Sequence, residues 1–172
     1  MDREQHEAEF RTFAAAQRDS LHKYAYLLCG DWYEADDIVQ KSLTKLFAAW
    51  RRIEPGGAAA YTRRIVTNTY FSHLRREWVR RERATTELPE PVAHGSPQEA
   101  VDTRMEILTA LERLPPRQRA TVVLRYCEQL TLEETADAMR CSIGTVKSQS
   151  SKAIQALRRL LPATPQPEYH GR

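Results

Sequence analysis

The sequence predicts an all-α fold of two small helical domains joined by a flexible linker, and three observations support it. Residues 5–84 and 99–162 are mostly strong helix formers, and their apolar positions recur at intervals of three and four. The stretch between them, 85–98, is rich in Pro, Ser, Thr and acidic residues, as flexible tethers are. The C-terminal block holds two helical patterns separated by a turn of about three residues, which is typical of a helix-turn-helix. Residues 163–172 are predicted to be a disordered tail.

Local signals in the N-terminal block indicate where its helices begin and end. Asp31 followed by Glu34 suits an N-cap with a reciprocal capping box, so a long helix is predicted over about 32–50. The run from Pro55 to Gly57 ends that helix, because these residues favour turns. A further helix is predicted over about 58–83.

The C-terminal block is expected to contain four helices, and the sequence offers start signals for the last three. Pro115 and Pro116 suit the first turn of a helix, where a proline costs no hydrogen bond. Thr131 with Glu134 is a second capping box, and Ser142 can cap the last helix. The predicted helices span about 99–113, 115–127, 132–139 and 143–161.

Bulk composition excludes several classes of protein. The formal net charge of +3, from 26 basic and 23 acidic residues, does not by itself indicate a partner. Three cysteines without a CxxC pair favour neither a disulfide framework nor a zinc site. The chain lacks a signal-peptide pattern at its start and any run of about 18 apolar residues. We therefore expect a cytoplasmic protein with no membrane insertion, no metal and no cofactor.

The last predicted helix has the charge and side chains of a DNA reader. It carries four basic residues and no acidic one, whereas the helix before it carries three acids. Hydroxyl, amide and basic side chains are suited to base edges and phosphate oxygens in a major groove. The candidates for this contact are Ser142, Thr145, Lys147, Ser148, Gln149, Ser151 and Lys152. Periodicity alone also allows an ordinary helical hairpin whose basic face is solvated.

The helix predicted over 58–83 combines basic and aromatic residues. Seven arginines and two glutamates give it a net charge of +5. Such a helix can grip a nucleic-acid backbone and stack bases, although its aromatics can equally be core residues and its arginines a solvated face. Tyr61 and Trp78 are the aromatics most expected to be exposed. Acids at the start of the preceding helix, including Asp36 and Asp37, are favoured by the helix dipole even without a partner.

Two stretches of the chain resemble RNA polymerase sigma factors. Residues 114–161, with a Leu-Pro opening, an E-x-x-A helix and the motif GTVKS, resemble sigma region 4. The segment EADDIVQKSLTKLFAAW resembles region 2.2, and AAAYTRRIVTNTYFSHLRRE resembles regions 2.3 and 2.4. The short length and the linker running straight from region 2 to region 4 are like the extracytoplasmic-function group, and AYLLCGD, FAAWRRI and GTVKSQ resemble its actinobacterial SigE-type subgroup.

The resemblance implies a sigma factor that binds core RNA polymerase through the β′ and β subunits and directs initiation at promoter DNA. Region 2 would span 5–84 and region 4 would span 99–162. The resemblance implies that the surface docking the β′ coiled coil contains Asp36, Asp37, Val39, Gln40 and Leu43. It implies that the loop 51–60 and Asn68 hold a −10 base turned out of the non-template strand. The full set for −10 DNA is Tyr61, Arg63, Arg64, Asn68, Arg75, Arg76 and Trp78.

The resemblance implies that the last helix reads the −35 element, and the sequence departs from the usual pattern at two positions of that helix. Gln149 and Lys152 stand where many family members have Arg, so the base preferred at Gln149 stays open. A glutamine amide can pair with adenine, whereas arginine favours guanine.

Two other functions remain as alternatives. A stand-alone helix-turn-helix regulator would bind specific duplex DNA without polymerase. An enzyme is disfavoured, because the five histidines are scattered without an HExxH motif and the glycines form no phosphate loop. An anti-sigma partner is left open, and the short linker leaves room for occlusion between the two domains.

Overall fold

The computed structural model describes residues 3–83 and 99–161, and the side chains of 4–80 and 104–161. Every regular element in these residues is helical, which confirms the predicted all-α class. The α-helices are α1 (Arg3–Cys29), α2 (Trp32–Ala49), α3 (Ala58–Arg83), α4 (Glu99–Glu112), α5 (Pro116–Val122), α6 (Leu132–Met139) and α7 (Ile143–Leu160). A 3₁₀ turn at Trp50–Arg52 follows α2, and a π-helical turn at Val123–Cys127 follows α5. The linker predicted at 85–98 and the tail predicted at 163–172 lie outside the described residues.

Helices α1, α2 and α3, which we call the N-terminal module, pack around a common core. Leu28, Ile38 and Val66 from the three helices are fully buried there. The Tyr24 hydroxyl lies 2.6 Å from the Thr67 hydroxyl, so a hydrogen bond joins α1 to α3. Burial raises the pKa of Tyr24, which keeps the phenol protonated.

Helix α2 begins at the predicted N-cap. The Glu34 amide donates to Asp31 Oδ1 at 2.8 Å. The reciprocal half of the predicted capping box is wrong, because the Glu34 carboxylate lies 3.3 Å from Nε2 of His73 on α3. Partial burial raises the pKa of Glu34, and the neighbouring His73 opposes that shift. A tertiary contact between α2 and α3 therefore replaces the local one.

The helix-turn-helix of α6 and α7 forms as the sequence predicts. In the capping box of α6, the Glu134 amide donates to Thr131 Oγ1 at 3.1 Å, and the Thr131 amide donates to Glu134 Oε2 at 2.8 Å. Arg140 ends α6 in the left-handed region with φ of 50°, a common way to terminate a helix. The predicted cap of α7 is also present, since the Thr145 amide donates to Ser142 Oγ at 3.1 Å.

Helix α5 begins at Pro116 as predicted, but the α-helical pattern stops at Val122. The chain continues in the wider π turn, in which the Glu128 amide donates to the Val123 carbonyl at 2.9 Å. This bond spans one residue more than an α-helical bond. The predicted helix over 115–127 is therefore an α-helix followed by a π-helical turn.

The N-terminal module packs against the C-terminal module, which we define as α4 to α7. One continuous cluster of buried apolar residues contains Leu28 and Val66 from the first and Leu111 and Leu124 from the second. Arg119 of α5 is only 5% exposed, and its Nε donates to the Leu27 carbonyl of α1 at 2.6 Å. The sequence did not predict this contact, because none of its local signals relates α1 to α5.

Candidate nucleic-acid interface and polymerase-docking surface

Helix α7 presents its predicted DNA-reading residues opposite a buried stripe. Val146 and Ala153 are fully buried and fix the helix against the rest of its module. Thr145 and Gln149 are half-buried at the edge of the outward face. The exposed members of the predicted −35 set are Ser142, Lys147, Ser148, Ser151 and Lys152. Most of the set therefore shares one accessible face.

Ser142 has a structural task at the start of α7. Its hydroxyl oxygen accepts the Thr145 amide hydrogen and lies 2.9 Å from the Thr145 hydroxyl. These two contacts orient the first turn of the helix and the Thr145 side chain. Within the predicted −35 set, Ser142 is thus a residue that positions its neighbour.

Gln149 lines a cleft between the two modules. The cleft has a volume of about 670 Å³, and its walls include Asn68 and Arg75 of α3 and Arg140 of the helix-turn-helix. One member of the −35 set therefore shares a cavity with two members of the −10 set.

The two aromatics singled out on α3 lie at the surface, as predicted. Tyr61 is 38% exposed and Trp78 is 63% exposed, whereas Tyr70 of the same helix is buried. An exposed aromatic ring can stack on an unpaired base. Tyr61 and Trp78 are 17 residues apart on α3, so they occupy separate parts of the helix.

Arg63 and Arg64 contact acidic residues of the C-terminal module. Arg63 Nε lies 2.8 Å from Glu128 Oε2, and Arg64 Nη1 lies 3.2 Å from Asp137 Oδ1. The Arg63 pair is mostly buried, with 31% and 18% of the two side chains exposed. Both arginines are thus paired within the chain in this conformation.

Asn68 is half-buried, and its Nδ2 donates to the Arg64 carbonyl one turn earlier at 2.7 Å. The amide nitrogen is therefore used inside α3. In this conformation Asn68 is therefore a polar residue satisfied within its own helix.

The far end of α3 forms a basic groove. Arg75 and Arg76 are exposed, and both bond to Ser72, through its hydroxyl at 3.1 Å and its carbonyl at 3.3 Å respectively. Lys45 of α2 and Arg80 line the same groove. Partial burial, with the nearby positive charges of Arg76 and Lys41, lowers the pKa of Lys45. The sequence analysis missed Lys45, which comes close to α3 only through tertiary packing.

The predicted polymerase-docking set lies on α2, with one exception. Asp36, Asp37 and Gln40 are accessible, and Gln40 Nε2 donates to Asp36 Oδ2 at 2.6 Å. Asp37 forms an ion pair with Lys41 one turn later. Leu43 is half-buried beside the core.

Val39 is the exception, because it is 2% exposed and belongs to the core cluster. Val39 directly follows Ile38, which is also buried, so the buried face of α2 is wider than the neighbouring acidic residues Asp36 and Asp37 suggested. The structure therefore moves Val39 from the predicted surface to the core.

Exposed aromatic side chains on α2 are a feature that the sequence analysis did not include in the docking set. Tyr33 is 85% exposed and Trp32 is 60% exposed, and both stand at the start of α2, just before the acidic residues of that helix. The Trp32 ring packs on His22 of α1 with 4.0 Å between ring centroids. The sequence did contain a signal for this exposure, because two adjacent aromatic residues directly follow the N-cap of α2.

Metal sites and membrane-spanning helices are absent from the part of the chain that the structure describes. Within 3–83 and 99–161, no cluster of three or more His, Cys, Asp or Glu side chains is arranged to hold a metal ion. None of the helices in the same residues has the length and hydropathy needed to cross a membrane.

Both modules match known families. Residues 9–80 match the family Sigma-70 region 2, and residues 110–159 match Sigma-70, region 4. The first match covers most of the N-terminal module, and the second covers α5, α6 and all of α7 except its last residue.

Curated proteins and solved structures agree with these matches. The chain is 37% identical to the RNA polymerase sigma-E factor of Streptomyces coelicolor, over 90% of this chain and 87% of the relative. It is 32% identical to the ECF RNA polymerase sigma factor SigE of Mycolicibacterium smegmatis, over 81% of this chain and 56% of the relative. Its structure is similar to the sigma factor RpoE in a co-crystal with the anti-sigma factor NepR from Bartonella quintana, with a TM-score of 0.76 and 27% identity over 88% of this chain and 96% of that chain. The chain therefore belongs to the sigma-70 family, among the extracytoplasmic-function RNA polymerase sigma factors.

Proposed function

We propose that this chain recruits core RNA polymerase to promoters in the cytoplasm, reading −35 DNA with α7 and −10 DNA with α3, and that it catalyses no reaction itself. The observation that carries the proposal is the exposed face of α7. This face carries basic side chains and no acidic ones, and it lies opposite the buried residues that pack the helix against its module. Such a face suits a major groove, where short polar and basic side chains reach base edges and phosphates.

For the −35 element, α7 would enter the groove with its N-terminal half. Lys147 and Lys152 would contact phosphates, because a flexible ammonium is a good partner for a backbone oxygen. Ser148 and Ser151 are short enough to allow close approach. Gln149 would favour adenine through its amide, which distinguishes this chain from relatives with arginine there.

For the −10 element, α3 and the loop before it would hold the non-template strand. Turning a base out of the stack costs a few kcal/mol, which contacts in the complex must recover. Asn68 would bond to the displaced base together with loop 51–60, and Tyr61 and Trp78, in separate parts of α3, would stack on separate unpaired bases. Arg63, Arg64, Arg75 and Arg76 would bind the phosphates, and the groove containing Lys45 extends that basic surface.

Core polymerase would dock on the exposed side of α2. Asp36, Asp37 and Gln40 form the polar part of that surface, and Leu43 adds a half-buried apolar side chain. Tyr33 adds an exposed aromatic ring of the kind enriched at protein interfaces. Val39 would support the surface from within the core.

An anti-sigma factor is a further proposed partner. The similar sigma factor RpoE is described in complex with the anti-sigma factor NepR, and its likeness covers both modules. A protein of that kind would inhibit this chain by covering the surfaces that bind polymerase or DNA.

Run-off transcription with purified core polymerase and a pool of bacterial promoter fragments tests the function directly. We expect start sites that appear only when the protein is added and that share two motifs at a fixed spacing. Tight binding to duplex DNA without binding to core polymerase would overturn the proposal in favour of a stand-alone regulator.

Asp37→Ala tests the docking surface. We expect it to weaken binding to core polymerase roughly fivefold, about 1 kcal/mol, because an interface carboxylate is lost. The fold should stay intact, since the Asp37–Lys41 pair is half exposed and such pairs contribute little to stability. Glu106→Ala, which removes an exposed acid of the other module, is the matched control. Equal affinities of the two variants for core would remove Asp37 from the docking surface.

A further inference from the structure

Four aromatic rings pack together where the first half of α1 meets the end of α2. Phe10 and Phe13 lie three residues apart on α1, and Phe47 and Trp50 lie three apart at the end of α2, so each pair shares one helix face. The Trp50 ring lies 5.3 Å from the Phe10 ring and 5.1 Å from the Phe13 ring, centroid to centroid. The Phe10 ring also lies 5.0 Å from the Phe47 ring. We call these four residues the aromatic cluster.

Trp50 connects the aromatic cluster to the loop 51–60. The Trp50 amide donates to the Phe47 carbonyl, and the Trp50 carbonyl accepts the Ile53 amide at 3.3 Å. Trp50 is therefore both the C-cap of α2 and the first residue of the 3₁₀ turn Trp50–Arg52. Because one residue carries both the packed ring and this turn, a shift of the ring would move the start of the loop.

The loop itself has few side chains that could attach it to a helix. Ile53 is half-buried, and the exposed residues between Trp50 and Gly57 are Arg51, Arg52, Glu54, Pro55 and Gly56. Within the loop, the Gly57 amide donates to the Glu54 carbonyl at 3.0 Å, which shapes a turn without joining it to α1 or α2. Trp50 is thus the side chain best placed to attach the loop to α1.

Open space beside Trp50 makes its ring contacts important. A cavity of about 330 Å³ is lined by Trp50 together with Phe47, and one of about 370 Å³ is lined by Trp50 together with Ile53 and Pro55. Close packing is what restricts most side chains in a protein interior, and a cavity removes that restriction on one side. Contacts with the two phenylalanines of α1 therefore decide where the Trp50 ring lies.

We propose that Phe10 and Phe13 are positioning residues for −10 recognition, which act through Trp50 to hold the loop 51–60 in the conformation that receives the displaced base. This inference rests on the proposed role of that loop in binding the base. The two phenylalanines need not touch DNA. A pocket selects one base only if its walls keep their positions, since a loose pocket accepts the wrong base nearly as well. Base selectivity at the −10 element is therefore the property that the aromatic cluster sets.

Hydrogen exchange of the free full-length protein, followed by NMR, tests whether the aromatic cluster holds the loop. We expect the amides of Ile53 and Gly57, which donate within the loop, to exchange about five to ten times faster in Trp50→Leu than in the wild type. Trp50→Phe, which keeps a ring, should restore most of the protection. Unchanged exchange in Trp50→Leu would overturn the proposal.

Tyr26→Leu is the matched control for the loss of a ring. Tyr26 is a half-buried aromatic residue of α1 whose ring packs on Trp32 at the start of α2, at the other end of the same pair of helices. We expect this variant to leave exchange in the loop unchanged. Equally fast loop exchange in Tyr26→Leu and Trp50→Leu would overturn the proposal, because a general loosening of the module would then explain both.

Transcription by holoenzyme tests whether the position of the loop sets base selectivity. The templates are the promoter best transcribed in the run-off pool, a derivative with the most selective −10 base changed and a derivative with one −35 base changed. We expect Trp50→Leu to reduce the preference for the correct −10 base about fivefold and to change the −35 preference less than about twofold. Trp50→Phe should keep most of the −10 preference. An unchanged −10 preference, or equal losses at both elements, would overturn the proposal.

Two further variants separate a loss of folding and a failure of the proposed function from a failure of this inference. F10L/F13L keeps Trp50 and most of the apolar volume, so it should fold while losing −10 preference as Trp50→Leu does. A normal −10 preference in F10L/F13L would overturn the role of the two phenylalanines. The variant R51A/R52A/E54A changes the loop itself. If it keeps the wild-type −10 preference, the proposed role of the loop fails and the inference with it; if it loses that preference while Trp50→Leu keeps it, only the positioning role fails.

Discussion

Single residues on α7 divide into those that hold the helix and those that face outwards. Val146 and Ala153 have no exposed surface, so substituting them would affect packing before any DNA contact. Lys147 follows Val146 directly and is exposed. Because neighbouring positions on a helix differ by about 100°, a buried residue and an exposed residue can be adjacent in sequence.

Lys147→Ala should weaken binding of holoenzyme to −35 duplex DNA without changing the fold. If Lys147 binds a phosphate, one fewer counterion is released, and the slope of log affinity against log salt should fall by about one. Lys23→Ala, at an exposed lysine of α1, is the control for loss of a positive charge. The measurement is a salt titration of promoter binding, and an unchanged slope together with an unchanged promoter preference would take Lys147 out of the interface.

At the scale of single elements, the sequence was sufficient where the signal was local. Thr131, Glu134 and Ser142 cap the helices that they were predicted to cap, since each bond joins residues three apart. Glu34 does not act as a reciprocal cap, because the Glu34 carboxylate pairs with His73, which is far away in sequence. Val39 was placed on a surface for a similar reason, as its burial depends on neighbours that only the packed helices bring together. Periodicity locates helices, but it does not reveal which long-range partner a side chain will find.

The connection between α1 and α2 offers a prediction at this scale. Gly30 and Gly56 both have positive φ, +80° and +84°, which costs an L-residue about 1–2 kcal/mol. Gly56→Ala should cost only this backbone strain, because nothing lies within 4 Å of its added Cβ. Gly30→Ala should cost more, because its Cβ would press on Glu112 and on the buried Arg119 of the other module. Urea denaturation of the two variants gives the difference.

That difference reports the contact between the modules, since the strain terms are nearly equal. A larger loss of unfolding free energy in Gly30→Ala would support a packed interface in solution. Equal losses would mean that Glu112 and Arg119 do not lie against Gly30 in the free protein.

At the scale of the whole molecule, the division into two helical modules followed from composition, but their mutual packing did not. Arg119 is one of two arginines in the short helix α5, and nothing in the neighbouring sequence indicates that it is buried against Leu27. The pairing of Arg63 with Glu128 likewise spans 65 residues. Both contacts depend on the relative position of the modules, which neither helix periodicity nor capping can supply. Arg63 and Arg64 of α3, which are proposed to bind nucleic acid, are also the residues that pair with acidic side chains of the C-terminal module.

Exchanging the charges of the Arg63–Glu128 pair separates the contact between the two modules from DNA binding. Arg63→Glu and Glu128→Arg should each destabilise the free protein by about 1–2 kcal/mol, because like charges then face each other in a largely buried contact. The double variant should recover most of that loss in urea denaturation, since the pair is restored with reversed polarity. Its run-off transcription should stay as low as that of Arg63→Glu, because position 63 would then repel the phosphates of the −10 strand. Glu128→Arg alone should keep its activity, as it leaves Arg63 available. If transcription recovers together with stability, Arg63 contributes to the packing of the two modules and not to promoter binding. If stability does not recover, the two residues do not pair in solution.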